Sequence, residues 1–244
     1  MLRSLPDPAG VVAMLTLYSW PELFGVADNN PYGLKTYAFL KLCHVPFRHE
    51  HLLDATQAPH GQLPYIADDS RIIGDSDAII AHLIQRDGLT INAGLTPQQH
   101  DTDHLVRRML DDLYWVMSYS RWQDDRFWPP FRDAFLRFHP DVAPKTLEQA
   151  REYNFRRYHY HGIGRYAPEE AFARGIADLQ VLSHLLPEDG FLFGSQPCST
   201  DAAIYGFVAN IHFFDIDTPL KTCLEAQPKL VAHCRAVHTA VIGG

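Results

Sequence analysis

Cysteine is scarce in this chain. Cys43, Cys198, Cys223 and Cys234 are scattered over 244 positions, and none sits in a C-x-x-C pair. That spacing excludes the disulfide framework of a small secreted domain. Long apolar runs are missing too: no stretch approaches the ~18 residues of a membrane helix. Positive charge is in deficit, with 21 Lys and Arg against 29 Asp and Glu and a net charge of −8. A nucleic-acid duplex or an anionic membrane surface would repel such a chain, and its fourteen histidines soften that only at acid pH. No G-x-G-x-x-G, phosphate-cradling glycine loop or Ser-His-Asp arrangement is present. What remains is ordinary globular composition, 46% hydrophobic and 20% charged, enough for one large domain or two small ones. A reduced, cytoplasmic protein is expected, with no nucleic-acid partner and no membrane span. A small anionic ligand held at one local site is compatible with this balance.

The first ninety residues alternate strand and helix signals. The apolar run Val11–Tyr18 lacks a basic leader or a small-residue cleavage site, so it reads as a first strand, with Met14–Ser19 its β-prone part. Asn30 is a good N-cap and Pro31 a natural first helical residue, and Leu34, Tyr37, Ala38 and Leu42 follow at helical spacing to about His44. Val45-Pro46-Phe47 starts a second strand reaching about Leu53. Asp68-Asp69-Ser70 is a turn between two short β-prone runs, and Gly74-Asp75-Ser76 opens a helix with Ile79, Ile80, Leu83 and Ile84 on one face. The order is β-α-β then β-β-α, an α/β unit with a parallel crossover and an added antiparallel hairpin. Gly88 to Thr96 has no periodicity and reads as a linker. From Pro97 the chain reads all-α, with a wide apolar helical stripe from Leu105 to Met117, further helices near 146–160, 168–186, 199–214 and 228–241, and a proline-broken aromatic stretch around Trp128-Pro129-Pro130. The expected domains are 1–87, a linker at 88–96, and a helical domain at 97–244.

Three features of the N-terminal half suit one chemistry. Asn30-Pro31-Tyr32-Gly33 opens a helix, where unpaired N–H groups and the dipole favour an anion such as a thiolate. Gln62-Leu63-Pro64 is an X-Pro at a strand entry, and a cis bond there would offer the Leu63 N–H and C=O to an extended peptide. Asp75-Ser76 caps the next helix, so free N–H groups could take a carboxylate while Asp75 takes an ammonium. Singly, each reads more simply as an ordinary cap or turn; in this order, on this pattern, they are far more specific.

Pro59 to Leu83, PHGQLPYIADDSRIIGDSDAIIAHL, resembles the thioredoxin-like domain of the glutathione transferase superfamily. The nearer likeness is to its metaxin and failed-axon-connections branch. There an insertion precedes a Ser-Pro-Phe-like helix start, as Trp20–Asn29 precedes Asn30-Pro31-Tyr32, and Phe191–Val208, FLFGSQPCSTDAAIYGFV, is similar as well. The likeness spans both domains and is weakest between Ser118 and Arg165. It implies a thioredoxin-like domain followed by a helical bundle, with glutathione as co-substrate and a homodimer. It further implies that Leu63 pairs with the cysteinyl unit, that Pro64 is cis, and that Asp75 and Ser76 hold the γ-glutamyl end. His60 or Gln62 would reach a carboxylate, and Asn30 would stand where relatives carry the Ser or Cys that meets the sulfur.

The chain departs from redox relatives, which carry C-P-Y-C where it has N-P-Y-G. Without either sulfur, disulfide exchange at this position is excluded, because the thiolate is its nucleophile. The Asn30 amide can still donate to a thiolate, and a bond worth ~1.5–3 kcal/mol corresponds to about one to two pH units of thiol pKa. Tyr18 and Tyr32 are alternative donors. Cys198 stands where the superfamily has a Ser/Thr cap three residues before Asp201, which reads as a structural cap worth ~1 kcal/mol. His100 and His104, four apart, lack a third metal ligand. Tyr158-His159-Tyr160-His161, beside Arg156, Arg157 and Arg165, could stack bases but reads more simply as a polar helix end or the rim of an electrophile pocket. Two functions are consistent with all this. One is a glutathione transferase acting on a small hydrophobic electrophile or peroxide bound against Trp20, Phe24, Tyr114 and Trp115. The other is a non-catalytic relative that uses the fold for ligand sensing or protein association.

Overall fold

The computed structural model describes residues 14–243, so the residues expected at 11–13 of the first strand lie outside it. The strand begins in earnest at Thr16. β1 (Thr16–Ser19), β2 (Arg48–His51), β3 (Tyr65–Asp68) and β4 (Arg71–Gly74) form one sheet in the order β2-β1-β3-β4. β1 pairs parallel to β2 and antiparallel to β3, and β3 to β4 closes the hairpin. The second strand is shorter than expected. Pro46 has no N–H for a ladder, and the paired residues RHEH are polar because β2 lies at the sheet edge.

α1 (Pro31–Leu42) connects β1 to β2, and α2 (Ser76–Asp87) follows the hairpin. Leu17, Ile66, Leu34, Phe39, Ile79 and Leu83 are fully or almost fully buried between the sheet and these helices. Residues 88–96 then lead to α3 (Pro97–Trp122), whose Thr96 cap and Gln99 form a reciprocal capping box. After it come α5 (Pro144–His161), α6 (Pro168–Leu185), α7 (Ser199–His212) and α9 (Pro228–Ile242), close to their expected positions. Two helices were not foreseen. α4 (Trp128–Phe138) begins on the very prolines that suggested a break, and its first turn needs no N–H from them. α8 (Pro219–Glu225) is capped by Thr218, whose hydroxyl accepts the Lys221 N–H.

The two halves meet where α7 crosses α1. At Gly206 a Cβ would lie 2.5 Å from the Pro31 carbonyl oxygen, so only glycine permits this approach. Polar groups fix the docking. Asp77 of α2 accepts from buried Lys35 of α1 and from Arg107 of α3, and Arg107 reaches Asp103 at 2.7 Å and Ser199 of α7 at 2.7 Å. A second cluster, Leu23, Trp128, Phe131, Phe135 and Phe214, joins the loop before α1 to α4. All four cysteines are free thiols.

Candidate functional site

The loop before α1 is organised by Asp28, which is fully buried. Its carboxylate accepts the N–H groups of Asn30 at 2.6 Å and Trp20 at 3.2 Å. Burial pushes this carboxyl well above the usual range, opposed by the hydrogen bonds from Asn30, Ser19 and Trp20 and by the nearby Arg121 guanidinium. Arg121, itself buried, donates to the backbone carbonyls of Asn29 and of Asn210 on α7. The start of α1 is thereby tied to the helical domain. Asp28 also explains Gly33: a Cβ there would fall 1.6 Å from the Asp28 Oδ2. No cysteine side chain fits at that position while Asp28 stays in place.

Asn30 caps α1 through Oδ1, which accepts the Tyr32 N–H at 3.1 Å, and its amide NH₂ is left as the donor end. Leu63-Pro64 is cis. Among the described residues neither the Leu63 N–H nor its C=O has a backbone partner. Asp75 caps α2 by accepting the Asp77 and Ala78 N–H groups, each at 2.9 Å, from a left-handed backbone (φ 73°) that is uncommon outside glycine. Ser76 follows as the first helical residue.

These elements converge. A cleft of about 530 Å³ between the two halves is lined by Trp20, Asn30, Tyr32, His60, Gln62, Leu63, Pro64, Asp75, Ser76, Tyr114 and Trp115. Beside it lies an apolar pocket of about 200 Å³, walled by side chains that include Met117, Trp122, Phe135, Val142 and Leu147. Trp20, Asn30, Tyr114, Tyr153 and Arg157 line both. Their shared wall is where two ligands would meet.

Three sequence expectations are corrected. Tyr18 alternates with core-facing Leu17 along β1, so it stacks on Tyr65 (centroids 4.5 Å apart) away from the cleft. Phe24 turns into the second cluster, 5.1 Å from Phe214 and 6.3 Å from Phe138, and lines neither cavity. Tyr32 does line the cleft, but its hydroxyl donates to Asp111 at 3.1 Å, so its one proton is spent. Burial, reinforced by Asp111, holds that phenol far above its ordinary pKa. Sequence reasoning missed Asp111 and Tyr153, and it named Arg157 only as a neighbour of the Tyr158–His161 stretch. The pocket rim was sought at Tyr158–His161, one turn too late. Tyr158 is buried against Ser118 at 2.7 Å, and His161 stacks on the outside of Trp115. The i, i+4 spacing of Tyr153 and Arg157 was the available signal.

Comparison with known proteins assigns the chain. Residues 31–127 match a model described as the glutathione S-transferase N-terminal domain, and residues 175–237 match the glutathione S-transferase C-terminal domain. An isoprene-epoxide glutathione S-transferase of Rhodococcus is 30% identical over 207 residues, covering 81% of this chain and 87% of that one. The chain belongs to the glutathione transferase superfamily. Its place near the metaxin and failed-axon-connections branch is also shown. Drosophila melanogaster Failed axon connections is 26% identical over 237 residues, 90% of this chain and 56% of that protein. A Caenorhabditis briggsae metaxin-1 homologue is 23% identical over 232 residues, 91% and 72% of the two chains. Among solved structures, a glutathione transferase family member from Pseudomonas fluorescens, crystallised with two glutathione molecules bound, superposes with a TM-score of 0.61 at 15% identity. That likeness covers 97% of this chain and 94% of the other, and it fits the thioredoxin-like domain and helical bundle of the superfamily.

Among the described residues of this glutathione transferase-like chain, no helix is long and apolar enough to cross a membrane. The Asp201 element of α7, familiar in the superfamily, is more than a cap here. Its carboxylate accepts the N–H groups of Cys198 (2.8 Å) and Leu192 (2.9 Å) and the Cys198 thiol (3.0 Å), and it pairs with His233 Nε2 at 2.8 Å. The thiol thus donates to the carboxylate instead of capping the helix.

Proposed function

We propose that the protein binds glutathione in the cleft and stabilises its thiolate for attack on a hydrophobic electrophile or peroxide held in the adjoining apolar pocket. The observation that carries this reading is the unpartnered Leu63 backbone, set in one cleft with two helix N-termini. An extended tripeptide can pair with Leu63 as an added strand. Its γ-glutamyl carboxylate then meets the N–H groups opening α2, and its ammonium meets the Asp75 carboxylate oxygen not engaged in capping. His60 or Gln62 reaches the far carboxylate. The sulfur falls at the start of α1, where the Asn30 amide donates to it and the helix end favours its negative charge. The protein supplies orientation and electrostatics; the sulfur supplies the nucleophile. A homodimer in the cytoplasm, two domains divided at residues 88–96 and a role in detoxification accompany the reading.

A second reading is a non-catalytic ligand-binding or interaction module, favoured by Asn30 in place of Ser or Cys and by the metaxin-like relatives. The thiol of bound glutathione separates the two. Thiolate absorbance followed against pH is expected to give a pKa below the ordinary thiol value of about 8.5. Asn30→Ala is expected to raise it by about one to two pH units. A bound thiol titrating as it does in free solution would favour the module.

A further inference from the structure

Asp28 is a buried acid that the proposed chemistry leaves unused. It is fully buried, lines neither cavity, and accepts the Asn30 N–H at 2.6 Å from behind the start of α1. Arg121 of α3 acts on it through charge while donating to the Asn29 and Asn210 carbonyls. Hydrogen bonds link this carboxyl to the edge of the sheet. The Ser19 hydroxyl, fully buried on β1, bonds Asp28 and lies 2.8 Å from His49 Nε2 on the edge strand β2, with the Trp20 carbonyl a weaker partner at 3.2 Å. His49 is half-buried; its Nδ1 has no partner among the described residues and is not sealed from solvent. The titratable rings packed on it are His51 of the same strand, at 4.4 Å between centroids, and Tyr37 of α1, at 5.2 Å. Burial, reinforced by His51, pushes the imidazole down to about 4, so near neutral pH it carries one N–H, on either nitrogen. The line of bonds can therefore run in two senses. With Asp28 ionised, Nε2–H donates to Ser19 and Ser19 to the carboxylate. With Asp28 neutral, the carboxyl donates to Ser19 and Ser19 to a bare Nε2.

A thiolate at the start of α1 gives this line something to do. An ionised Asp28 cancels the Arg121 charge; a neutral Asp28 leaves that cation uncompensated, and Arg121 lines the apolar pocket together with Asn30. An uncompensated cation there favours an anion at the sulfur. The coupling is mutual, because a new thiolate opposes a second negative charge on Asp28. Burial already holds that carboxyl well above the usual range, so it is poised to take up a proton. We propose, resting on the glutathione-binding reading above, that Asp28 accepts a proton from solvent through His49 and Ser19 as the bound thiol ionises. The thiol releases its proton to water. Water delivers one proton to His49 Nδ1, the Nε2 proton passes to Ser19 Oγ, and the Ser19 proton passes to Asp28. In sum a thiol and a carboxylate become a thiolate and a carboxyl, and the imidazole changes only the nitrogen that holds its hydrogen. Asp28 is thus a positioning residue that acts on the sulfur through charge, without touching it.

Two readouts on the full chain test this. The first is glutathione binding at pH 7 by calorimetry in phosphate and in Tris, whose different ionisation heats count the protons released, with thiolate absorbance recorded in parallel. The wild type is expected to form thiolate with almost no net proton release. Asp28→Asn, which cannot take the proton, is expected to release about one proton per thiolate formed. The second is the rate at which thiolate absorbance appears after rapid mixing with glutathione. His49→Ala, which leaves the carboxyl in place, is expected to reach the wild-type amplitude about 100-fold more slowly, and added imidazole to restore the rate. A purely structural His49 would change the amplitude instead. One proton released per thiolate in the wild type, or an unchanged rate in His49→Ala, would overturn the inference even if Asp28→Asn fails to fold. Glutathione that fails to bind, or binds with its thiol intact, would overturn the reading beneath it.

Discussion

Asp201→Ala is expected to destabilise the protein by about 3–5 kcal/mol, with a fall in Tm on the order of 10 °C. The carboxylate is fully buried and serves two backbone N–H groups, a thiol and His233. Alanine leaves all four without an acceptor, and His233 is itself buried. The pH dependence has a definite sign. Burial, the largest influence on this carboxyl, pushes it up, but the His233 hydrogen bond and charge and the two N–H groups hold it below its ordinary value of 3.8. A carboxyl depressed in the folded state contributes fully above 3.8, and that contribution is lost as pH falls through the lower folded value. Denaturant unfolding at neutral pH should therefore show the full difference between wild type and Asp201→Ala, and the gap should narrow below about pH 4. A loss near 1 kcal/mol at neutral pH, the worth of a simple cap, would contradict the four-partner geometry.

Arg121→Met is expected to combine a stability loss of about 3–5 kcal/mol with weakened glutathione binding. The guanidinium ties the Asn29 carbonyl to α7, beside the Asn210 amide that donates to the Asp28 carbonyl at 3.1 Å, and it stands near the buried Asp28 carboxyl. Methionine fills much of the volume but leaves the buried Asn210 carbonyl and the half-buried Asn29 carbonyl without this donor, and the Asp28 carboxyl without its neighbouring cation. The Asn29-Asn30 segment then keeps the Asn210 bond to Asp28 but loses its tie through Arg121, so the amide meant for the sulfur is held less firmly. Arg121→Lys keeps the charge but not the fork that spans two carbonyls, and its loss should fall between wild type and methionine. Denaturant midpoints measure the first effect and calorimetric titration the second. A methionine variant as stable as wild type would show that the Asp28 loop is held by other means.

What the sequence disclosed follows the range of the interactions. Leu63-Pro64, Asp75-Ser76 and Asn30-Pro31 are dipeptides whose geometry is set by their own backbone, and each was legible where it stood. The β-α-β and β-β-α order was legible for the same reason, since turns and periodicities are local. Asp28 carried no local signal. Its meaning arises from Gly33, Arg121 and Asn210, which only the docked halves bring together. Arg157 and Asp111 face the cleft from helices remote in sequence, and the segment containing Arg157 is the least family-like. Tyr18 and Phe24 were misplaced through distance as well. Strand alternation turned one to the far face of the sheet, and the second aromatic cluster drew in the other. α4 was missed because proline was read as a breaker where it serves as a helix start.

The central claim is that the cleft between the halves is a glutathione site. Calorimetric titration of the folded protein with glutathione tests it most directly. The expected result is saturable binding at one site per chain, weakened when Asp75→Ala removes the carboxylate meant for the ammonium. The absence of any binding heat at millimolar glutathione, with the competing non-catalytic reading left standing, would contradict the account.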